Sequence, residues 1–534
     1  MKKHTHLFIA LGGGLLLWAA WPTSAFTLLI FIAWLPLLWL EEHAGSWKRF
    51  FGLAYLSLLT WNISTTWWIW NASLPGALGA FFANSLIMCV PWLLFRFTKQ
   101  KLGSWIGYGS LIIYWLAFEY IHHNWELSWP WLTLGNVFAT HPQWIQWYQY
   151  SGTAGGSLWV LLANILAYTL WKEARYEGRT KKYYIMLAVW ITLLVVPILS
   201  SRLISSKEKK ILAAQPPATK NIVIVQPNID PYTEKFDSPV ESQIQKLILL
   251  SEQQIDDNTT LVVWPETAIA AQVWENEIKN EKAFYPVWSF LRRHPRVNLV
   301  TGIDSYKNYG PDKKNASKTA RFAQSYQAYY DAFNTAAFFD ADTAINLYHK
   351  AKLVPGVETL PSFLNFMSKW FEDMGGISGT LGRDSERKVF VPWDNHFKAA
   401  PIICYESIYG DYITEYVRKG ANILTIITND GWWGNTPGYK QHMNYARLRA
   451  IETRKWVARS ANTGISCFID PLGNVIAPQP WDTPASIKLA VPVDNRQTFF
   501  VQHGDIFSRA CVAVSVLLIL LTTGTWIKRR LKKT

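Results

Sequence analysis

Cysteine is scarce in this 534-residue sequence, which contains only Cys89, Cys404, Cys467 and Cys511. So few thiols cannot form a disulfide framework in so long a chain. The sequence also lacks an HExxH motif, a paired CxxC motif and a phosphate-binding loop, so it implies neither a metal nor any other cofactor. Cys89 and Cys511 lie in long apolar segments and Cys467 in a strand-like segment, where a buried small hydrophobe is expected. Cys404 is therefore the candidate reactive thiol.

Charged residues make up only 17% of the chain, whereas half of it is hydrophobic and 30 residues are Trp. A membrane-spanning helix needs about 20 largely apolar residues. We predict eight such helices, near residues 7–22, 26–40, 50–70, 77–97, 104–121, 157–171, 183–200 and 507–527. The predicted organisation is a transmembrane domain at 1–200 with seven helices, a linker at 201–220, a soluble domain at 221–500 and a C-terminal transmembrane helix at 507–527.

Lys and Arg are absent from three of the predicted loops, at 23–25, 71–76 and 122–156. Because Lys and Arg near helix ends are retained in the cytoplasm, these three loops are predicted to face outward. Both termini then lie in the cytoplasm and residues 201–506 lie outside. Much of the net charge of +14 falls in the cytoplasmic loops and the C-terminal tail. A nucleic-acid partner is therefore not expected.

Between the apolar segments, short β-branched runs alternate with helix-like stretches. The predicted strands are 221–226, 260–264, 297–303, 328–339, 398–404, 422–428 and 466–469. The predicted helices are 240–254, 284–293 and 441–456. Strands that alternate with helices indicate a layered α/β domain, with sheets buried beneath helices.

Three residues suited to covalent catalysis, Glu266, Lys350 and Cys404, each lie where an apolar, strand-like run ends. These runs are 261–264, 344–349 and 399–403. A thiol becomes a strong nucleophile when a base removes its proton and a cation lowers its pKa. Glu266 follows Trp264 and Pro265, so we expect partial burial to raise its pKa towards that of a general base near neutral pH. Each residue alone has an ordinary interpretation: a solvated carboxylate, a surface lysine and a buried small hydrophobe.

The other two residues have matching predicted roles. Lys350 is expected to lower the thiol pKa and to bind the oxyanion of a tetrahedral intermediate. The position of Cys404 between an apolar strand and the polar Tyr405-Glu406 pair resembles a turn that exposes a nucleophile. The backbone N–H of Tyr405 is then a second oxyanion donor.

The motifs around these residues resemble those of the nitrilase superfamily, whose members carry a Glu–Lys–Cys set on an α-β-β-α sandwich. The motifs are Trp264-Pro265-Glu266, Tyr348-His349-Lys350 and Ile403-Cys404-Tyr405-Glu406. Together with the eight predicted membrane helices, they resemble the apolipoprotein N-acyltransferase family over nearly the whole chain. The resemblance implies that Glu266 is the general base, that Lys350 stabilises the oxyanion and that Cys404 is acylated.

The same resemblance implies further supporting and substrate-binding residues: Glu358, Glu406, Tyr405, Phe236 and Trp432. Phe363 and Trp370 are added as candidate substrate contacts because they belong to an aromatic cluster bounded by glycines. Glu358 and Glu406 equally suit structural ion pairs. Phe236 stands where the family commonly has Trp. Lys352 is the alternative oxyanion lysine if the match to the family motif is shifted by two residues. The eight-residue step from Lys350 to Glu358 agrees with the family pattern and favours Lys350. Residues 359–383, which include Phe363 and Trp370, are predicted to form a lid that meets the bilayer.

The resemblance implies a monomeric enzyme of the bacterial cytoplasmic membrane, with its catalytic domain on the periplasmic side. Its expected partners are a phospholipid acyl donor and a diacylglyceryl-modified apolipoprotein, whose N-terminal amine accepts the acyl group from a Cys404 thioester. Two alternatives remain. One is a membrane-anchored nitrilase-like amidase or hydrolase, in which water releases the acyl group. The other is a non-catalytic membrane scaffold that binds lipoproteins.

Overall fold

A computed structural model describes residues 3–214, 218–235, 237–342, 345–367 and 380–532. The backbone divides into two compact units. The first contains Met1–Ile69, Gly76–Lys207 and His503–Thr534, and the second contains Trp70–Pro75 and Glu208–Gln502. The predicted linker, 201–220, is helical as far as Ala214.

The helices are numbered here in chain order. They are α1 Lys3–Ala20, α2 Leu35–His43, α3 Trp47–Thr66, α4 Ile69–Ala72, α5 Leu74–Leu78, α6 Asn84–Leu102, α7 Ser104–His123, α8 Tyr148–Tyr176, α9 Lys181–Ala214, α10 Val240–Glu252, α11 Tyr285–Arg293, α12 Gly410–Arg418, α13 Pro437–Thr453, α14 Phe499–His503 and α15 Ile506–Leu531. One π-helical turn, Gly79–Ala83, joins α5 to α6. Short 3₁₀ turns include Thr27–Phe31, Pro130–Leu132, Leu134–Phe138, Ser362–Met367, Cys404–Ile408 and Asp430–Trp433.

Within the described part of the chain, four helices are long and apolar enough to cross a membrane. They are Leu74–Leu102, Tyr148–Tyr176, Lys181–Ala214 and Ile506–Leu531. The total of eight membrane helices therefore stays a prediction. The segment predicted as one helix at 26–40 is wrong, because it consists of the 3₁₀ turn Thr27–Phe31 followed by α2.

The break before α2 is stabilised by Asn164 on α8. Its side-chain oxygen accepts a hydrogen bond from the Trp34 backbone N–H at 2.8 Å, and its amide donates to the Ile30 carbonyl at 2.7 Å. These bonds satisfy buried backbone groups that a continuous helix would have paired internally. In the same unit, Glu119 on α7 accepts hydrogen bonds from the Trp115 indole at 2.9 Å and the Leu134 N–H at 2.8 Å.

The second unit contains two β-sheets. The strands are β1 Thr219–Gln226, β2 Thr259–Val263, β3 Ile269–Trp274, β4 Asn298–Gly310, β5 Arg321–Ala323, β6 Ala328–Phe339, β7 Ile345–His349, β8 Ala399–Ile403, β9 Ile423–Thr428, β10 Trp456–Ala461, β11 Cys467–Ile469, β12 Val475–Ile476 and β13 Ala485–Pro492. The first sheet has the order β13-β1-β2-β4-β6-β5, with β3 also paired to β4 and β7 to β6. The second has the order β12-β11-β10-β9-β8.

The two sheets face each other, and helices cover their outer faces. Strands β1, β4 and β6 contact β10, β9 and β8 across the sandwich. Helices α10 and α11 bury their apolar faces on the first sheet, where Ile244, Leu247 and Leu291 pack with Val223 and Val262. Helices α12 and α13 pack together, and α13 contacts β10 and β11. The layers therefore follow the order α-β-β-α, as predicted.

All seven predicted strands are present, whereas β3, β5, β10, β12, β13 and the helices α12 and α14 were not predicted. The helix predicted at 441–456 extends too far at its C-terminal end. It ends at Thr453 because Arg454 adopts a left-handed backbone with φ of 54°, and Trp456 already begins β10. A left-handed residue of this kind commonly terminates a helix.

Candidate active site

Glu266 lies at the end of β2, after Trp264 and Pro265. One carboxylate oxygen, Oε1, accepts hydrogen bonds from Lys350 Nζ at 3.1 Å and from the Asn334 amide at 2.8 Å. The other, Oε2, accepts from the Asn429 backbone N–H at 3.0 Å. The Glu266 backbone can lie close to β4 because residue 302 is Gly. A Cβ at position 302 would lie only 2.6 Å from the Glu266 Cα. Both carboxylate oxygens are therefore fixed by partners from other strands.

Lys350 directly follows β7 and is 1% exposed. Its ammonium lies 2.8 Å from Glu358 Oε1, in addition to the contact with Glu266, and its backbone N–H donates to the Asn334 carbonyl at 2.9 Å. Lys352, the alternative lysine, instead places its ammonium 4.7 Å from the centre of the Tyr409 ring. The structure therefore brings Lys350, Glu266 and Glu358 together in one cluster.

Cys404 follows β8 and begins the 3₁₀ turn Cys404–Ile408. Its backbone is left-handed, with φ of 49°, a conformation that is strained for a residue with a side chain. Residues held in such conformations concentrate at functional sites. The thiol is 8% exposed, shares a hydrogen bond with the Thr428 side chain and interacts electrostatically with Glu266 and Lys350. The sharp turn predicted at this position is present, although the residue is largely buried.

The charges of this cluster differ from those expected from the sequence. Burial favours a raised pKa for Glu266, but the Lys350 ammonium and the Asn334 amide hold that pKa below its usual value. The predicted rise in the Glu266 pKa is therefore wrong, because it considered burial without the cation. For Lys350, burial opposes the charged form, yet Glu266 and Glu358 raise its pKa well above the usual value.

Burial raises the pKa of the Cys404 thiol well above its usual value, and the negative charge of Glu266 adds to this effect. Lys350 lowers the thiol pKa as predicted, but the other two influences outweigh it. The resting site therefore contains an ionised carboxylate, a charged ammonium group and a protonated thiol. This arrangement suits a base that removes the thiol proton as a substrate reacts, rather than a preformed thiolate.

Glu406 is fully buried and connects the Cys404 turn to the segment after Lys350. Its Oε2 accepts from the Ile403 N–H at 2.9 Å, and its Oε1 accepts from the Ala351 N–H at 2.8 Å. The hydroxyl groups of Tyr348 and Tyr412 also donate to Oε1, at 2.6 and 2.7 Å. Glu406 thus holds the candidate thiol turn and the candidate lysine in register.

A second buried network, which was not predicted from the sequence, also contacts the Cys404 turn. Asp430 accepts hydrogen bonds from Arg459 at 2.7 Å and from Thr428 at 2.9 Å, and it lies 2.9 Å from His442 Nδ1. His442 Nε2 lies 3.2 Å from the Cys404 carbonyl oxygen. Burial opposes ionisation of Asp430, but Arg459 and His442 lower its pKa to about 2.

The remaining predicted residues have different surroundings. Tyr405 is buried beside Cys404, and Trp432 lies in the turn Asp430–Trp433, with its ring edge-on to Tyr232. Phe363 lies in the turn Ser362–Met367 and is 53% exposed. Phe236, Trp370 and the centre of the predicted lid lie outside the described residues.

Asn334 is the principal residue that the sequence analysis missed. Its amide bridges Glu266 and Glu358, at 2.8 and 2.9 Å. The sequence contains one indication of its role, because Asn334 is a polar residue in the largely apolar second half of the predicted strand 328–339. This indication does not identify the partners of Asn334, which lie 24 and 68 residues away along the chain.

A two-sheet sandwich with outer helices, and with Glu, Lys and Cys at the ends of its strands, is the architecture of a nitrilase-like carbon–nitrogen hydrolase. Residues 221–498 match the model of the carbon–nitrogen hydrolase family. Residues 13–166 match the model of the apolipoprotein N-acyltransferase N-terminal domain. The predicted nitrilase-like fold is thereby confirmed.

Individual relatives agree with these family models. The chain is 31% identical to an apolipoprotein N-acyltransferase of Chlorobaculum tepidum, over 96% of both chains. It is 25% identical to one of Geobacter metallireducens, over 96% of this chain and 94% of that one. Saccharomyces cerevisiae Nit3, a solved nitrilase-superfamily structure, aligns at 16% identity with a TM-score of 0.37, over 52% of this chain and 90% of that one. This chain belongs to the apolipoprotein N-acyltransferase family, and it is a membrane protein.

Proposed function

We propose that this protein transfers an acyl chain from a phospholipid to the N-terminal amine of a diacylglyceryl-cysteine lipoprotein, through a thioester on Cys404. The observation that carries this proposal is the buried cluster of Glu266, Lys350 and Cys404 in a chain that also has membrane-length apolar helices. Membership of the apolipoprotein N-acyltransferase family supports the choice of lipid donor and lipoprotein acceptor.

In the first half-reaction, Glu266 takes the proton of the Cys404 thiol while Sγ attacks an ester carbonyl of the phospholipid. The Lys350 ammonium, together with the Tyr405 N–H, stabilises the oxyanion that forms on the carbonyl oxygen. Collapse of this intermediate breaks the ester bond, and Glu266 returns the proton to the leaving alcohol. The products are a Cys404 thioester and a lysophospholipid.

In the second half-reaction, the acceptor's neutral amine attacks the thioester carbonyl, and the same oxyanion donors stabilise the intermediate. Expulsion of the thiolate forms the amide, and Glu266 passes a proton from nitrogen to sulfur. Division of the transfer into two steps allows one pocket to receive two bulky lipids in turn. Burial of the cluster supports this sequence because it limits access of water, which would hydrolyse the thioester.

The proposed setting is the bacterial cytoplasmic membrane, with the protein acting as a monomer. Eight segments cross the bilayer, seven of them within residues 1–200 and the last at 507–527, and the second of them does so as the 3₁₀ turn Thr27–Phe31 followed by α2. Both termini lie in the cytoplasm, where the Lys and Arg residues of the predicted loops and tail are concentrated. The catalytic domain, 221–500, follows the linker at 201–220 and lies on the periplasmic side.

Reconstituted protein tests this function directly. The full chain in lipid vesicles is mixed with acyl-labelled phospholipid and a synthetic diacylglyceryl-cysteine peptide, and the products are identified by mass spectrometry. We expect label on the peptide amine and a matching amount of lysophospholipid. Release of the label only as free fatty acid would instead identify a hydrolase, and the absence of any acyl transfer would favour a non-catalytic scaffold.

Phe363 is proposed to contact acyl chains as part of the lid at residues 359–383. The two ends of this segment meet next to the site, because the Leu381 N–H donates to the Glu358 carbonyl at 3.0 Å and the Glu358 carboxylate accepts from Lys350 at 2.8 Å. We expect Phe363→Ser to reduce turnover about tenfold, since burial of a Phe side chain against an acyl chain contributes roughly 1.5–3 kcal/mol. Turnover is measured as peptide acylation at limiting phospholipid.

Phe322→Ser is the matched control, because Phe322 is 45% exposed on β5 of the same unit. Both substitutions should leave the midpoint of thermal unfolding nearly unchanged, as surface substitutions usually change stability by less than about 0.5 kcal/mol. Equal turnover in both variants and the unmodified protein would remove Phe363 from the lid proposal.

A further inference from the structure

Asp304 on β4 lies beside the active-site cluster, although neither the family motifs nor the proposed mechanism assigns it a role. The register of β4 and β6 places Asp304 directly opposite Asn334. Residues paired in this way point to the same face of a sheet, with Cβ atoms about 4.5–5.5 Å apart. Gly302, two residues earlier on β4, faces the backbone of Glu266. Because strand side chains alternate, Asp304 shares that face.

The carboxylate of Asp304 differs from its neighbours in having no hydrogen-bond partner among the described residues. Both oxygens of Glu266 accept hydrogen bonds, and those of Glu358 accept from Lys350, Asn334 and the Val354 N–H. Among the described residues, no group forms a hydrogen bond or an ion pair with the Asp304 side chain. The side chain is also partly exposed, so a ligand can reach it.

The charges around Asp304 are unbalanced. Glu266, Glu358 and Asp304 supply three carboxylates, whereas Lys350 and Lys235 supply two ammonium groups that interact with them. Lys350 is paired with the two glutamates, and Lys235 is hydrogen bonded to the Thr267 hydroxyl. The excess of one negative charge, together with a carboxylate that accepts no hydrogen bond from the described residues, favours a cationic ligand that carries hydrogen-bond donors.

We propose that Asp304 binds the primary ammonium group of a substrate at the active site. This inference rests on the proposed function, in which two substrates offer such a group. One is the N-terminal ammonium of the lipoprotein acceptor, and the other is the headgroup of an ethanolamine phospholipid donor. In either position the ammonium group forms a charge-assisted hydrogen bond with a carboxylate that accepts none from the described residues.

If the ligand is the acceptor's ammonium group, Asp304 also accepts a proton from it. The ammonium gives one proton to Asp304, and the neutral nitrogen then attacks the thioester carbonyl. The C–N bond forms as the C–S bond breaks, and the second proton passes through Glu266 to the departing sulfur. Asp304 finally releases its proton to water. Burial raises the pKa of Asp304 to about 6, with Glu266 and Glu358 adding to the rise and Lys235 opposing it, so this transfer from an amine is accessible.

Asp304→Asn removes the charge with little change of shape, and it is tested in the full-length protein in vesicles. In the donor arm, the rate of acyl-enzyme formation is measured with phosphatidylethanolamine and with phosphatidylglycerol. In the acceptor arm, preformed acyl-enzyme is discharged either with the diacylglyceryl-cysteine peptide or with 2-mercaptoethanol, a neutral nucleophile. Acyl-enzyme is followed by intact-protein mass spectrometry.

If the ammonium belongs to the acceptor, discharge by the peptide should fall at least tenfold while discharge by the thiol stays within twofold. If it belongs to the donor, acylation by phosphatidylethanolamine should fall at least tenfold relative to phosphatidylglycerol. Rates that are all unchanged, or that all fall together, would overturn the inference. Failure of the unmodified protein to form any acyl-enzyme would instead contradict the proposed function, and the inference with it.

Two further variants keep the test decisive. Asp257→Asn changes an exposed carboxylate elsewhere in the same unit and should leave all four rates within twofold. Asp304→Ser provides a second removal of the charge if the Asn variant folds poorly, and it should give the same selective loss. A Ser variant that is folded and has unselective rates would also overturn the inference.

Discussion

Cys404→Ala is expected to abolish the acyl-enzyme and to reduce peptide acylation by about 10⁴-fold or more, since loss of a covalent nucleophile has effects of this order. In the proposed mechanism, the thiol is the only group that forms a bond to the acyl carbonyl. Intact-protein mass spectrometry after incubation with acyl-labelled phospholipid measures the adduct. Peptide acylation in the same vesicles measures turnover.

The substitution should leave the fold intact. The side chain lost is small, and the left-handed backbone at position 404 is as strained for Ala as for Cys, so the strain does not change. Deletion of one buried sulfur from a tight site is expected to lower stability by about 1–2 kcal/mol. Thermal unfolding of the variant therefore checks that a lost adduct reflects chemistry.

Cys467→Ala is the matched control. Cys467 is also fully buried in the second unit, and burial raises its pKa to about 12, but it lies on β11 rather than at the end of β8. We expect this variant to form the adduct at the rate of the unmodified protein. A labelled adduct that persists in Cys404→Ala, or that disappears only in Cys467→Ala, would show that the nucleophile is a different residue.

The positions of the three candidate catalytic residues could be predicted because each lies where a strand-like run ends. Residues 261–264 and 399–403 are continuous apolar runs, 344–349 is a mixed run with apolar residues at 345, 347 and 348, and a polar residue where such a run ends lies at a sheet edge. The structure brings Glu266 and Lys350 to 3.1 Å, although 84 residues separate them. The local pattern predicts the strand ends, and the family resemblance implies which ends meet.

The electrostatics of the site could not be predicted in the same way. Burial of Glu266 was expected from Trp264 and Pro265, which are its neighbours in sequence. The direction of its pKa shift depends instead on Lys350 and Asn334, which are supplied by β7 and β6. Similarly, Asp430, His442 and Arg459 meet only because β9, β10 and α13 pack side by side. The pKa shifts at such sites can be predicted only when the tertiary contacts are known.

Lys350→Met is expected to reduce acyl-enzyme formation by at least about 10³-fold, because the oxyanion loses its charged donor. It should also lower the free energy of unfolding by about 3–5 kcal/mol, since removal of one member of a buried ion cluster leaves the others uncompensated. Lys350 is 1% exposed and contacts Glu266 and Glu358 at 3.1 and 2.8 Å. Acylation rates and urea unfolding measure the two effects.

Lys352→Met is the control that tests the alternative register. Lys352 lies against the Tyr409 and Tyr412 rings, and burial lowers its pKa to about 8. We expect this variant to form the acyl-enzyme at a rate within about tenfold of that of the unmodified protein, because the substitution removes side-chain packing and not a catalytic group. The opposite order of effects would assign the oxyanion role to Lys352.

The pH dependence of stability separates the electrostatic part of the Lys350 effect from simple loss of packing. Lys350 holds the pKa of Glu266 in the folded state below its usual value. The ion pair therefore stabilises the fold at pH values above the pKa that Glu266 has in the unfolded chain, and this stabilisation is lost as the pH falls through the folded-state pKa. The difference in unfolding free energy between Lys350→Met and the unmodified protein should therefore be largest near neutral pH and should shrink in acid. If this difference in unfolding free energy stays constant from neutral to acidic pH, the Lys350 ammonium does not stabilise the Glu266 carboxylate. Other groups would then keep Glu266, the base in the proposed mechanism, ionised.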